Sequence, residues 1–400
     1  MARTLHRLAV ACALGGAGLL ALNLSGCGGS QTTLTDTTPA ANAQGWRWVL
    51  PAFFPLPRDD AQNPTSAARV ELGRRLFYDV RLSGNGTQSC GSCHQQDKAF
   101  TDGLPVAIGS TGERHPRNSQ SLVNVVYSPT LTWANPSLVR LEQQMEVPLF
   151  GEHPVEMGVT DASKPLILQR LHQDAQYPGL FAAAFAKTDW GWPEVIAAIA
   201  SFERSIVSAD SRYDRYLQGR ATLSAAETRG MNLFFGEKAE CFHCHGSFNF
   251  NDQTLHANSP SVDTPFHNTG LYNVDGQGSY PEGNRGVFEL SGRTQDMGRF
   301  RAPSLRNVAV TAPYNHDGSV ATLAAVVANY AAGGRVIPAG EPHAGDGRSN
   351  PYKDDLIVRI NLSEAEQQDI VAFLQTLTDE TVLVDPRFAN PFVPAGSTRP

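Results

Sequence analysis

Two pentapeptides constrain this chain more than anything else in it: C-G-S-C-H at residues 90–94 and C-F-H-C-H at residues 241–245. In each, two thiols lie one helical turn apart, a separation that reaches the two vinyl groups of one porphyrin. The histidine that follows is then placed under the iron as an axial ligand. The sequence therefore predicts two covalently bound c-type haems, one on Cys90, Cys93 and His94, the other on Cys241, Cys244 and His245. Zinc or disulfide C-x-x-C pairs would leave the histidine at the same offset in both copies unexplained.

The other two cysteines belong to the start of the chain. Arg3 and Arg7 precede a short apolar run, Leu8 to Leu22, that is too short to span a bilayer securely. Leu24-Ser25-Gly26-Cys27 then reads as a bacterial lipobox, which would make residues 1–26 a lipoprotein signal peptide and Cys27 the lipidated first residue. Gly28 follows rather than Asp, so nothing argues for retention in the inner membrane. The expected location is the periplasm, with a lipid anchor in the outer membrane. Cys12 leaves with the leader, and no thiol remains for a disulfide.

With 400 residues and a 41% hydrophobic fraction, the chain can build two or three cored domains. Its net charge of -7 becomes nearer -9 (-7 minus 2) once Arg3 and Arg7 are removed. An acidic surface argues against nucleic acid as a partner and shows no polybasic membrane patch. Contact with membrane is expected only through the lipid.

Residues 27–45 are rich in Thr, Ala and Asn without an apolar period and read as a flexible tether. Trp46, Trp48, Phe53 and Phe54 begin ordered structure. Ala67 to Tyr78 is predicted as a helix capped by Thr65 or Ser66, with Val70, Leu72, Leu76 and Phe77 on its apolar face. The second half repeats the plan: Ser224 and Glu227 form a capping box before Met231, Leu233, Phe234 and Phe235. In E-L-G-R-R-L-F-Y (71–78) and T-R-G-M-N-L-F-F (228–235), Gly and Leu-Phe hold the same offsets before each pentapeptide, a weak internal repeat. Trp192 to Ile206 is apolar at helical spacing, and Ser363 with Glu366 caps a closing helix that carries Ile370, Phe373 and Leu374. Residues 210–223 read as a boundary and 251–298 as mostly loop. The predicted fold is mainly α, with long loops. It comprises two cytochrome c-like domains with one haem each, residues 46–215 (peroxidatic haem) and 216–385 (electron-transfer haem).

At this point several motifs in order resemble the bacterial dihaem cytochrome c peroxidase and MauG family over most of the mature length. They are R-L-F-Y-D before the first pentapeptide, R-N-S-Q-S-L-V-N-V from Arg117, L-E-Q-Q from Leu141, P-V-E-M-G from Pro154 and R-A-P-S-L-R-N-V-A-V-T-A-P-Y-N-H-D-G from Arg301. G-E-R-H-P-R-N-S, L-T-W-A-N-P and P-L-F-G-E look most like the MbnH branch, which oxidises tryptophan in a partner protein.

The resemblance implies roles. His94 is the proximal ligand of the first haem and His245 a ligand of the second. Glu156 matches the distal carboxylate of a peroxide pocket, Gln144 a pocket glutamine, and Trp133 a tryptophan between the haems, in a loop one residue out of register. Asn118 by its side chain, and Thr311 and Pro313 by their carbonyls, would hold one calcium ion, a cation that requires hard oxygen ligands. Conventional peroxidases carry a second histidine eight residues before the position of Asn118; here that residue is Ser110, with His115 nearby but out of register. They also carry methionine 14 residues after the position of His316, where this chain has Tyr330 as MauG-like proteins do. Met297, Met231 and Met157 compete with Tyr330 for that ligand role, Met297 foremost. Tyrosinate favours oxidised iron where methionine favours reduced iron.

These assignments imply a dihaem peroxidase-like oxidoreductase. It would use hydrogen peroxide to reach a high-valent dihaem state and then oxidise a secreted protein, a tryptophan side chain being the candidate target. The alternatives are a conventional cytochrome c peroxidase fed by a small redox protein, and a passive dihaem electron carrier. His316 is expected to be structural and His243 solvent-facing, while Trp190 and Trp192 are candidates for the partner surface.

Overall fold

A single close crossing of two helices, used twice, organises the molecule. In the computed structural model, which describes residues 41–393, the first helix α1 (Ala67–Tyr78) is capped by the Ser66 side chain, which accepts from the Arg69 N–H. It buries Leu72, Gly73, Leu76, Phe77 and Tyr78. A Cβ built on Gly73 would lie 1.9 Å from the Ala198 carbonyl oxygen, so only glycine lets α1 meet the long apolar helix of this half at this distance. The leader, Cys27 and residues 28–40 of the tether lie outside the described residues.

Between these two helices come α2 (Cys90–Cys93), α3 (Leu141–Phe150), α4 (Lys164–His172) and α5 (Tyr177–Phe185), joined by long loops. The partner of α1 is α6 (Trp192–Ser205), which buries Val195, Ile199 and Phe202. The core they share also holds Phe100, Met145, Phe181 and Trp190. Each fully buried Leu or Phe contributes roughly 1.5–3 kcal/mol. Trp190 lies in this core, stacked 3.6 Å from Phe181 and 3.7 Å from His172, and is not at the surface.

The stretch read as a boundary carries α7 (Arg212–Leu217), capped by Ser211. Its Asp214 is buried against Arg306 at 2.8 Å, so the stretch is ordered by a salt bridge to a distant loop. After it, α8 (Ala225–Phe234) opens with the Ser224–Glu227 capping box, and α9 (Phe242–His245) bears the second pentapeptide. The loop from residue 251 holds a short α-helix, α10 (Phe288–Ser291), and a 3-10 turn at Thr294–Asp296. Then follow α11 (Leu323–Ala332), a two-residue antiparallel pair β1 (Val336–Ile337) and β2 (Gly345–Asp346), α12 (Glu364–Gln375) with its Ser363–Glu366 box, and α13 (Glu380–Val384). Gly230 of α8 meets α12 as Gly73 meets α6: its Cβ would lie 1.8 Å from the Asp369 carbonyl oxygen. The matched glycines of the internal repeat thus mark matched helix crossings.

The architecture is mainly helical. The two halves exchange parts. Val382 and Phe388 enter the core around α1 and α6, the Tyr78 hydroxyl donates to the Phe388 carbonyl at 2.8 Å, and Gln96 Nε2 donates to the carbonyls of Val382 and Asp385. Trp48, Phe54 and Tyr127 pack with Phe248 of the second half.

Candidate functional site

At the first pentapeptide, α2 is set by a capping box between Ser89 and Ser92. His94 follows with its Nδ1 2.8 Å from the Phe100 carbonyl. A carbonyl only accepts, so Nδ1 carries the proton and Nε2 keeps its lone pair. The chain returns to offer that carbonyl through left-handed residues Ala99 and Phe100. The second pentapeptide repeats the device: His245 Nδ1 lies 2.8 Å from the carbonyl of Phe250, itself at positive φ. Burial holds both imidazoles below their usual pKa. A neutral ring, fixed by a carbonyl at one nitrogen and free at the other, is what an axial ligand requires. Burial pushes the Cys93 and Cys241 thiols up to about 12, and Cys90 higher still, so in the polypeptide alone these three are not ready nucleophiles.

A large, mostly apolar cavity opens beside α9. Its wall includes Cys241, Cys244, His245 and, from α11, Tyr330. The Tyr330 phenol is raised by burial and then by the two thiols, and its hydroxyl makes no hydrogen bond among the described residues. Met297 is buried in a neighbouring apolar cluster, Met231 packs beside α12, and Met157 lies in the first core. None of the three methionines is in the cavity wall. His316 does line it, with Nε2 buried and unpartnered; burial pushes this imidazole down to about 4, so it is neutral. Arg301, also on the wall, has an unpartnered Nε. Paired thiols, a free imidazole nitrogen, a phenol and orphaned buried polar atoms around an apolar void fit a haem.

Around the first pentapeptide, Glu156 sits in the loop after α3. Its charge acts on Cys90, Cys93 and His94, which places it beside that site. The Ser110 N–H donates to the Glu156 carbonyl at 2.7 Å, so the position where conventional peroxidases have histidine abuts the carboxylate residue. Gln144 lies on α3, whose C-terminal carbonyls, Pro148 and Leu149, accept from Met157 and Val159 and so hold the Glu156 loop.

Trp133 lines both the large cavity and a second cleft of about 610 Å³ that also contains Asn118, Thr311 and Pro313. Its indole N–H donates to the Asn118 carbonyl at 2.9 Å. The Asn118 amide donates to Leu104, leaving its oxygen free, and the Thr311 and Pro313 carbonyls accept no hydrogen bond among the described residues. Three neutral oxygens suit a hard cation but supply no charge.

Sequence reasoning set His115 aside and missed Glu203 and His267. His115 Nε2 lies 3.4 Å from Glu156 Oε1. Glu203 on α6 is buried near Cys90, its carboxyl pushed up to about 8 by burial, with Oε2 unpartnered. His267 is clamped between Asp252 and Asp354 at 2.6 Å each. No periodicity or spacing marks these contacts. His243, by contrast, is part-exposed and pairs with Glu240 at 2.7 Å.

A family model described as di-haem cytochrome c peroxidase matches residues 67–222. The chain is 34% identical over 376 residues to the cytochrome-c peroxidase IdrP1 of Denitromonas iodatirespirans, covering 89% of this chain and 94% of that protein. The chain belongs to the di-haem cytochrome c peroxidase and MauG family. It is 31% identical over 361 residues to the methylamine utilization protein MauG of Methylorubrum extorquens, covering 90% and 91% of the two chains. Among solved structures, a MauG-like protein associated with microbial copper homeostasis superposes with a TM-score of 0.85 at 55% identity, over 87% of this chain and all of that one. The diheme peroxidase BthA of Burkholderia thailandensis shares the fold, with a TM-score of 0.61 at 23% identity. Membership makes this chain a dihaem oxidoreductase of the peroxidase class, with hydrogen peroxide and a redox or protein partner as its reactants.

Proposed function

We propose that this protein uses hydrogen peroxide to oxidise a partner protein, with a tryptophan side chain as the candidate target. The observation that carries this reading is Tyr330 in the wall of the cavity that holds Cys241, Cys244 and His245, with Met297 outside it. The 55% identity to a MauG-like protein supports the same reading.

Two cytochrome c-like domains would each hold one haem covalently, through Cys90, Cys93 and His94, and through Cys241, Cys244, His245 and Tyr330. The bound haems supply the iron at which peroxide is reduced and the store for two oxidising equivalents. The chain supplies the proton chemistry. Glu156 takes a proton from one peroxide oxygen and returns it to the other, so that water leaves. Gln144 would line the same pocket, and Ser110, in place of a second histidine, would leave the first iron open to peroxide. Trp133 couples the two sites. Asn118, Thr311 and Pro313 would hold calcium against the Trp133 loop. Cys27 would carry lipid and hold the protein at the periplasmic face of the outer membrane; among the described residues no helix is long and apolar enough to cross a membrane.

Electron paramagnetic resonance of the ferric protein tests this reading. A high-spin and a distinct low-spin signal, both lost on stoichiometric peroxide to a long-lived species absorbing in the near infrared, is the expected result. Two low-spin signals indifferent to peroxide would overturn it in favour of an electron carrier. Rapid turnover with a small cytochrome or cupredoxin would favour the conventional peroxidase.

A further inference from the structure

We infer that Tyr272, with Asp317 as its proton acceptor, is the relay through which electrons from an external one-electron donor reach the second site. This rests on the reading above, which supplies peroxide as the oxidant.

A phenol gives up an electron readily only if its proton leaves in the same event. What matters is therefore what each hydroxyl touches. Tyr280 lines the large cavity, but its hydroxyl donates to the Asn268 side-chain oxygen at 2.7 Å, and an amide takes no proton. Tyr314, also on the wall, donates to the Val308 carbonyl, and Trp133 to that of Asn118. Tyr272 lies one ring beyond Tyr280, at 5.5 Å between centroids, and its hydroxyl donates to Asp317 Oδ2 at 2.6 Å. The Ser319 N–H holds the other oxygen, Oδ1, at 3.0 Å, so the carboxylate is aimed. The Arg335 guanidinium stands 5.8 Å from the Tyr272 ring and makes a radical cation there costly, which forces the proton onto Asp317. Outward, the exposed His343 ring lies 5.9 Å from Tyr272. Cavity, Tyr280, Tyr272 and His343 thus form one aromatic path to the surface, with a base at a single step.

Each peroxide takes two electrons from the donor and two protons from solvent to become two waters. Each passage of the relay moves one electron from Tyr272 through Tyr280 toward the cavity and one proton from its hydroxyl to Asp317. The donor then returns an electron to the neutral tyrosyl radical, and Asp317 returns the proton. Two passages balance one peroxide.

A second tyrosine–carboxylate pair among the described residues, Tyr177–Asp79, lies in the first core with Asp79 already bound by Arg81. It is the natural control. Holoprotein freeze-quenched after stoichiometric peroxide, without donor, should show a tyrosyl radical by electron paramagnetic resonance. Mass mapping should then place oxidation at Tyr272. Tyr272→Phe, which removes one hydroxyl, should lower the signal about ten-fold while the ferric spectra stay those of the parent. Asp317→Asn should lower it with Tyr272 intact. An undiminished radical in Tyr272→Phe, or oxidation mapped to Tyr177 or Trp133, overturns the relay alone. A parent protein inert to peroxide overturns both the relay and the function on which it rests.

Discussion

His115 Nε2 stands 3.4 Å from Glu156 Oε1, with the two side chains only 25% and 30% exposed. The contact exists because the 107–115 turn folds onto the loop after α3: the Ser110 N–H reaches the Glu156 carbonyl, and the Val155 N–H reaches the Glu113 carboxylate at 3.0 Å. The imidazole orients the carboxylate. A part-exposed pair of this kind is worth up to about 1 kcal/mol. His115→Phe should therefore slow the peroxide reaction by no more than roughly five-fold. Stopped-flow rates across a pH series would check this; a loss as large as that of the carboxylate itself would mean His115 acts on peroxide directly.

Glu156→Gln keeps shape and removes the proposed acid–base group. The peroxide reaction should slow by about 10²–10⁴-fold, the usual worth of a positioned acid–base group, with ferric spectra unchanged. Equal rates for the two proteins would remove Glu156 from the chemistry.

Tyr330→Met exchanges a phenol for a thioether in the same cavity wall, and so tests the proposed ligand. The second haem's potential should rise by on the order of 0.1 V, within the ~0.8 V that axial ligands span. Spectroelectrochemical titration measures it. An unmoved potential would return the ligand role to another residue.

His267 carries a pH signature. Burial opposes its charge, but the hydrogen bonds to Asp252 and Asp354 outweigh it and push the pKa up to about 12. The folded value is raised, so the stabilisation is whole below the unfolded value of 6.5 and is lost as pH climbs through about 12. His267→Gln should cost about 3 kcal/mol at neutral or mildly acidic pH, the scale of a broken buried pair. The gap to the parent should narrow as pH rises. Denaturant midpoints at several pH values would show it, and a gap that widened with alkalinity would contradict the assignment.

Much of the framework is legible in the sequence because its signals are local. Ser66, Ser224 and Ser363 announce helix starts within four residues, and each structure follows. The pentapeptides announce themselves, and the repeated Gly and Leu-Phe offsets mark the two helix crossings. What was not legible depends on loops meeting. The 107–115 turn brings His115 to Glu156, the Asp214–Arg306 pair orders a stretch that reads as a boundary, and Asp252 and Asp354 converge on His267 from far apart. Trp190, a candidate for the partner surface in the sequence, is another such case: the stacking of Phe181 and His172 buries it.

The return of residues 382–388 to the first half has a consequence for assembly. Tyr78, in α1, and Gln96, two residues after His94, bind the carbonyls of Phe388, Val382 and Asp385, and Phe388 fills the core beneath them. A nascent chain short of residue 380 already contains both pentapeptides, yet the floor beneath the first one is missing. That late segment therefore closes the first half: the earlier half, although written first, can finish only once residues 380–388 have been made.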